Sequence, residues 1–153
     1  MKKANPAHEI AIYERNRHDD TFGFGVVFSA ETLGHFRDYD ALSYDRIRAG
    51  FAYWDDITVI KEDTEITSSG HGFCGLGRRT LLLLLQERAR ALGVELRFET
   101  EVDDIDALMA GNDLVVAADG INSRTRQRFA EAFRPEIDTR ACKFVWLGTH
   151  AKF

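Results

Sequence analysis

The sequence predicts a mixed α/β fold, in which an incomplete Rossmann-like nucleotide-binding unit carries a β-rich excursion. Three stretches predict it. An alternating strand, HEIAIYE at 8–14, closes on an acid, a leucine-rich helix follows Gly77, and DLVVAADGINSRTR at 113–126 is typical of a strand, a tight turn and a helix start. Strands that alternate with helices favour a parallel sheet.

Composition and charge exclude several classes of protein. The 153 residues are 44% hydrophobic and 29% charged, and the net charge is −5, so the chain suits a globular body without a nucleic-acid surface. The longest apolar run, at 81–85, is too short to span a membrane, and the N-terminus lacks the basic, apolar and small-residue pattern typical of a signal peptide. We therefore expect a cytoplasmic protein. Cys74 and Cys142 lack the spacing of metal ligands, which predicts reduced, packed thiols and no metal.

The first third of the chain predicts two strands and two helices. HEIAIYE ends on Glu14, where a dinucleotide-binding unit places an acid for a ribose hydroxyl, about twenty residues after a glycine-rich turn. FGFGVVFS at 22–29 has two glycines at GxGxxG spacing, but Phe28 takes the third place, which favours a glycine-bent strand. Ser29 caps a helix through about Tyr39, and a second helix covers 42–48.

The composition of residues 51–73 is typical of β-strands. It predicts a small antiparallel meander whose strands are FAYWDDITVI, EITSSG and HGFC. Tyr53, Trp54 and His71 are candidates for the lining of a substrate site. Plain packing within the meander is the alternative interpretation, since aromatic side chains bury large areas wherever they fall.

A rival nucleotide unit spans Gly75 to Glu99. GLGRRT leads into the helix LLLLLQERARAL, Gly93 ends it, and VELRFE follows as a strand that closes on Glu99. This order would suit an NAD-dependent dehydrogenase. Thr80 in the place of the third glycine counts against it, as does HGFC, which is short and polar for a central parallel strand. A short helix is predicted next, within 102–110.

The stretch from Asp113 to Arg126 carries the strongest functional signal. A predicted strand ends in the Asp119-Gly120 turn, and Asn122 and Ser123 are good helix N-caps. Backbone N–H groups at a helix start, an acid, and the donors of Ser123, Arg124 and Arg126 together suit a sugar-phosphate ligand. A plain capped loop would use the same residues. The rest of the sequence predicts a helix to about 133, a loop at Pro135 and a strand, CKFVWLGT at 142–149.

Five stretches together carry a family resemblance: YERN at 13–16, TFGFGVVFS at 21–29, GRRTLLLLL at 77–85, DLVVAADGINSRTR at 113–126 and KFVWLGT at 143–149. Over nearly the whole chain they resemble the FAD-dependent aromatic monooxygenases of the para-hydroxybenzoate hydroxylase fold. FGFGVVFS is most similar to the members that act on aryl-CoA thioesters, such as salicylyl-CoA and 2-aminobenzoyl-CoA monooxygenases. The resemblance implies FAD as cofactor, NADH or NADPH as reductant, and a small aromatic substrate, CoA-linked in that narrower group.

The resemblance also implies the cofactor-binding residues. Glu14 would bind the adenosine ribose, Arg78 would contact the cofactor from a helix start, and the DG motif near the pyrophosphate would consist of Asp119, Gly120, Ser123 and Arg126. No catalytic residue is implied. The FAD-binding domain would comprise 1–50 and 77–140, the substrate-domain excursion 51–76, and the start of a second substrate-domain segment 141–153.

Two motifs of that family have no match in the sequence. The first strand with its GxGxxG turn would lie before Met1, and a later GD motif would lie beyond Phe153. We therefore expect an internal segment of a larger flavoenzyme, inactive alone and binding FAD weakly or not at all, because the glycine turn supplies the pyrophosphate cradle. A non-catalytic interaction module is the alternative, and the oligomeric state is not predicted.

Overall fold

The computed structural model describes residues 1–143 and 145, and it divides the chain into two compact units, 1–100 and 101–153. The mixed α/β class is confirmed. Elements of the first unit are β1 (Ala11–Tyr13), β2 (Gly25–Phe28), α1 (Ala30–Tyr39), α2 (Ala41–Ala49), β3 (Ala52–Trp54), β4 (Ile57–Lys61), β5 (Thr64–Ser68), β6 (Phe73–Gly77), α3 (Arg78–Ala91) and β7 (Glu95–Arg97). Those of the second are α4 (Ile105–Ala110), α5 (Arg124–Arg128) and α6 (Ala130–Phe133).

β1 and β7 form a parallel pair, with Ala11 opposite Glu95 and Tyr13 opposite Arg97. The ladder continues past β1, because Glu14 N–H donates to the Arg97 carbonyl at 2.9 Å. The predicted strand that ends on Glu14 is therefore confirmed, although it is shorter than HEIAIYE. Parallel pairing places Glu14 at the carboxyl edge of the pair, the edge at which open α/β sheets bind their ligands.

β2, β6 and β3 form an antiparallel sheet with β6 in the middle. Side chains alternate along each strand, so one face of the sheet carries Phe28, Cys74 and Leu76, which are buried together with Ile47 of α2. The Cys74 thiol donates to the Phe28 carbonyl at 3.6 Å within this core. Cys142 is exposed, so the prediction of a packed thiol is wrong for that residue.

The predicted meander forms only in part. FAYWDDITVI splits at 55–56, so that β3 joins β6 while β4 and β5 make a separate hairpin. The split has a local cause, because the Asp55 carboxylate accepts from the N–H groups of Gly70 and Gly72 at 3.0 and 2.9 Å and turns the chain out of the strand.

The helix predictions in the first unit are confirmed. Ser29 caps α1 by accepting from Thr32 N–H at 3.3 Å, and Gly93 ends the α3 region with φ +79°. The Asp40 carboxylate fastens the start of α2 to α3, since it accepts from Arg88 at 2.8 and 2.9 Å. These two charge-assisted bonds hold the pKa of Asp40 well below its usual range.

The strand predicted at 113–117 is wrong. The described residues of the second unit contain no strand, and Leu114 and Val116 are largely exposed. A strand needs a neighbour to pair its backbone, and none of the described strands pairs with this stretch. The predicted helix to about 133 breaks at Phe129 into α5 and α6. The strand predicted at 142–149 lies mostly outside the described residues.

Candidate functional site

A cavity of about 430 Å³ opens in the first unit among β1, β7, α3 and the loop at 16–22. This size lies within the usual range for small-molecule pockets. We call it the groove. Its apolar lining includes Ile12, Leu82, Leu85, Ala89, Leu96 and Phe98, and its polar lining includes Glu14, Asn16, Arg17, Asp20, Arg78 and Gln86.

Glu14 enters the groove from the end of β1. Its Oε1 atom accepts from Asn16 twice, from the backbone N–H and from Nδ2, both at 2.8 Å. These bonds fix the half-buried carboxylate and both fall on Oε1, so Oε2 is left to accept from a ligand hydroxyl.

Arg78 enters the same groove from the first position of α3. Its backbone N–H donates to the Phe24 carbonyl at 3.1 Å, and its guanidinium donates to the Phe22 carbonyl. The structure therefore brings Glu14 and Arg78, which were predicted from separate motifs, to one cavity. An acceptor and a cation on apolar walls suit a nucleoside phosphate.

Gln86 is a residue of the groove that sequence reasoning missed. Its side chain is only 7% exposed, and Nε2 donates to the His18 carbonyl at 2.7 Å. Its Oε1 atom is buried and has no hydrogen-bond partner among the described residues. A buried acceptor without a donor is costly, so a donor from a bound group would be favourable here. In the sequence, the signal for this residue is a single amide side chain among the apolar residues of the predicted helix.

Asp119, Gly120 and Ser123 form one hydrogen-bonded loop in the second unit. Gly120 has φ +78°, and its carbonyl accepts from Ser123 N–H at 3.1 Å. The buried Ser123 hydroxyl caps α5 by accepting from Arg126 N–H at 2.9 Å. The Ser123 hydroxyl and Thr125 N–H donate to the Asp119 carboxylate, which lowers the pKa of Asp119 to about 2. Asp119 is thus a fixed anion at neutral pH.

The three arginines of α5 differ in their partners. Arg124 pairs with Glu101 and Asp103, at 2.6 and 3.1 Å, and Arg128 pairs with Asp106 at 3.0 Å. Arg124 is more than half exposed, so the prediction that it has donors for a ligand stays a prediction. Arg126 donates to the Ile121 carbonyl, but its buried Nε has no acceptor within the described part of the chain.

Because α5 has only five residues, its dipole is weak, and the Arg126 side chain is the main cationic feature of this loop.

The structure separates the three residues proposed to line a substrate site. Trp54 and His71 lie on the exposed face of the β2–β6–β3 sheet, whereas Tyr53 points to the other face and packs against Phe51. The rival dehydrogenase unit fails on topology. It requires β6 and β7 to be parallel strands of one sheet, but β6 is antiparallel to both of its neighbours and β7 pairs with β1 elsewhere.

The described residues contain no cluster of three or more metal-ligating side chains. They also include no helix that is both long and apolar enough to cross a bilayer.

Comparisons with curated proteins show homology along the whole chain. It is 44% identical to a salicyloyl-CoA 5-hydroxylase of Streptomyces sp over all 153 residues, which is 29% of that protein. It is 32% identical to the protodeoxyviolaceinate monooxygenase of Chromobacterium violaceum, covering all of this chain and 41% of the relative. A 3-hydroxy-4-methyl-anthranilyl-(aryl-carrier protein) 5-monooxygenase of Streptosporangium sibiricum is also 32% identical, over 92% of this chain and 39% of the relative.

By name these homologues are one hydroxylase and two monooxygenases, and the chain spans 29% to 41% of their length. No family model matches the chain. Among solved structures, a variant of MHPCO has a TM-score of 0.55 at 19% identity, with 65% of this chain and 27% of that one covered. A variant of 2-methyl-3-hydroxypyridine-5-carboxylic acid oxygenase gives 0.54 at the same identity and coverage. These likenesses show a shared fold.

Proposed function

We propose that this chain is a segment of an FAD-dependent aromatic monooxygenase that acts on an aryl-CoA thioester and uses NADH or NADPH as reductant. The homologous monooxygenases support it, one of which is named for salicyloyl-CoA. The observation that carries the proposal is the groove, which combines Glu14, Arg78 and apolar walls. In this proposal, 1–50 and 77–140 belong to an incomplete Rossmann-like FAD-binding domain, 51–76 to the substrate domain, and 141–153 to its second segment.

The groove fits the adenosine end of FAD. Glu14 Oε2 would accept from a ribose hydroxyl, the apolar walls would cover the flat adenine ring, and Arg78 would face a phosphate. The unpartnered Gln86 Oε1 atom is consistent with a group in the groove that carries its own hydrogen-bond donor. The chemistry of the side chains present therefore agrees with the cofactor.

The loop at 119–126 fits a different part of the same cofactor. Apart from Gly120 and its two chain neighbours, no described residue has an atom within 4 Å of the position a Gly120 Cβ would take, so a ligand could approach the backbone there. The fixed Asp119 carboxylate would accept from a hydroxyl, and Arg126 Nε would find in a phosphate oxygen the acceptor that it lacks.

When bound, the flavin supplies the redox chemistry. In the net reaction an aromatic C–H becomes C–OH, the second oxygen atom of O₂ leaves as water, and NAD(P)H provides two electrons. The residues described above bind and orient, and none of them is proposed to transfer a proton.

Isotope labelling of the full-length enzyme tests the reaction. With salicyloyl-CoA, NADH and ¹⁸O₂, we expect one ¹⁸O atom in the hydroxylated product and consumption of NADH only when FAD is present. Oxidised product without ¹⁸O would contradict the proposal, because a dehydrogenase takes no oxygen from O₂. NADPH in a parallel reaction determines the preferred reductant.

A further inference from the structure

Although His71 is exposed, hydrogen bonds fix the backbone on both sides of it. Its neighbours Gly70 and Gly72 have φ of +84° and +60°, which only glycine adopts readily. The N–H groups of both glycines donate to the Asp55 carboxylate, and His71 N–H donates to the Asp55 carbonyl at 3.2 Å. Three successive backbone donors thus bond to one residue, which fixes the backbone that presents His71.

The imidazole ring is fixed as well. Its Nε2 atom lies 2.8 Å from the Ser68 hydroxyl, and the ring stacks on Phe73 with centroids 5.3 Å apart and planes 19° apart. Among the described residues, Nδ1 has no hydrogen bond. A ring that is oriented from two sides and keeps one nitrogen available is a preorganised hydrogen-bonding group.

The surroundings of His71 are aromatic. Trp54 lies 5.9 Å from Phe73 at an interplanar angle of 32°, and it covers Gly75, where a Cβ would come within 3.0 Å of the indole. Trp54 is 39% exposed although it is large and apolar. We call Trp54, His71 and Phe73 the aromatic shelf. None of its side chains carries a permanent charge, and the nearby Asp55 carboxylate is occupied by backbone N–H groups.

We propose that the aromatic shelf binds the aromatic ring of the substrate, and that His71 Nδ1 forms a hydrogen bond with a hydroxyl or amino group on that ring. This inference rests on the proposed function and assigns His71 a role in specificity. A flat aromatic surface with one fixed polar atom at its edge matches a planar ring with one polar substituent. Plain packing explains neither the three backbone bonds to Asp55 that fix this turn nor the available nitrogen.

A pair of thioesters tests the proposal in the full-length enzyme. Salicyloyl-CoA carries a ring hydroxyl, whereas benzoyl-CoA lacks it. We expect His71→Phe, which retains stacking but removes the ring nitrogens, to raise the Kd for salicyloyl-CoA about tenfold and to leave the Kd for benzoyl-CoA within about twofold. His71→Asn, whose amide can replace Nδ1, should restore much of the difference. The matched control is His35→Phe, an exposed position on α1, which should change neither value.

An unchanged ratio of the two dissociation constants in His71→Phe would overturn the inference, as would weakened binding of NADH alone. If His71→Phe does not fold, the same ratio measured in His71→Leu decides, since leucine also removes both ring nitrogens. Flavin absorbance of the wild-type enzyme separates the two proposals: an enzyme that binds FAD but shows an unchanged ratio disproves only the role of the aromatic shelf. An enzyme without flavin disproves the proposed function itself.

Discussion

At the residue scale, function depends on a few polar atoms whose partners are fixed by the backbone. Asp119 is the clearest case, since the Ser123 hydroxyl and Thr125 N–H both bond to its carboxylate. The carboxylate can then face a ligand hydroxyl as a ready acceptor without reorganisation.

The titration of Asp119 is our first prediction. Its pKa is lowered from 3.8 to about 2, so the bonds to the charged form stabilise the loop fully above pH 4 and are lost as the pH falls towards 2. Carboxyl ¹³C shifts in NMR should give a midpoint near 2. In Ser123→Ala, which lacks the hydroxyl donor, the midpoint should move up towards 3.8. A wild-type midpoint near 3.8 would contradict the described loop.

Gly120 gives the second prediction at this scale. An L side chain at φ +78° is strained, so Gly120→Ala should destabilise the loop by about 1–2 kcal/mol. Hydrogen exchange at the Thr125 amide should become roughly fivefold to thirtyfold faster. Gly111→Ala is the matched control, because Gly111 in the same unit has φ −97° and room for a Cβ. Equal rates in both variants would refute the assignment.

Single residues differ in how far sequence could predict their placement. Glu14 was predicted from the end of a strand, which is a local feature, and Arg78 from the family resemblance. The placements of Gln86 and Asp55 were not predicted. The unpartnered Oε1 atom of Gln86 and the turn that bonds to Asp55 both arise only when segments distant in sequence pack together. The lone amide in the apolar stripe of α3 marks Gln86 as unusual, but it does not identify the distant segment that packs on it.

At the scale of elements, side chains fasten the helices of the first unit together. The Asp40 carboxylate at the start of α2 accepts from Arg88 of α3 and from Ser43, whose hydroxyl lies 2.6 Å away. Both charged side chains are about four-fifths buried, so water screens this pair less than it screens a surface pair.

Asp40→Asn should therefore destabilise the protein by about 1–2 kcal/mol, since charge-assisted bonds to Arg88 are replaced by neutral ones. Urea denaturation measures it. Glu87→Gln, which removes the exposed pair with Arg46, is the control and should have almost no effect. The effect of Asp40→Asn should begin to diminish below about pH 4, where the Asp40 carboxyl of the unfolded chain takes up a proton, and should be lost as the pH falls through the lowered pKa of the folded state. If Asp40→Asn lowered the free energy of unfolding no more than Glu87→Gln does, the result would contradict the contact between Asp40 and Arg88.

Sequence predicted most elements but not their pairing. Helix caps at Ser29 and Gly93 are local, and those predictions were confirmed. The strand at 113–117 was wrong because its apolar pattern does not specify a partner strand. Likewise, FAYWDDITVI has the composition of one strand, and only the distant Gly70 and Gly72 reveal the break at Asp55.

At the scale of the whole molecule, the chain covers 29% to 41% of its curated relatives, so its activity is proposed for the longer protein. The groove of the first unit carries that proposal, and the loop at 119–126 of the second unit supports it. Each offers an acceptor and an arginine, which is the pattern expected for ribose and phosphate.

The affinity of the full-length enzyme for FAD in Glu14→Gln tests this claim most directly, by flavin fluorescence quenching. Because the carboxylate would bond a ribose hydroxyl, we predict a Kd at least about tenfold above wild type. Glu9→Gln, an exposed acid shortly before β1, should bind like wild type. Equal affinity in Glu14→Gln and Glu9→Gln, or a wild-type enzyme that binds no FAD, would contradict the account.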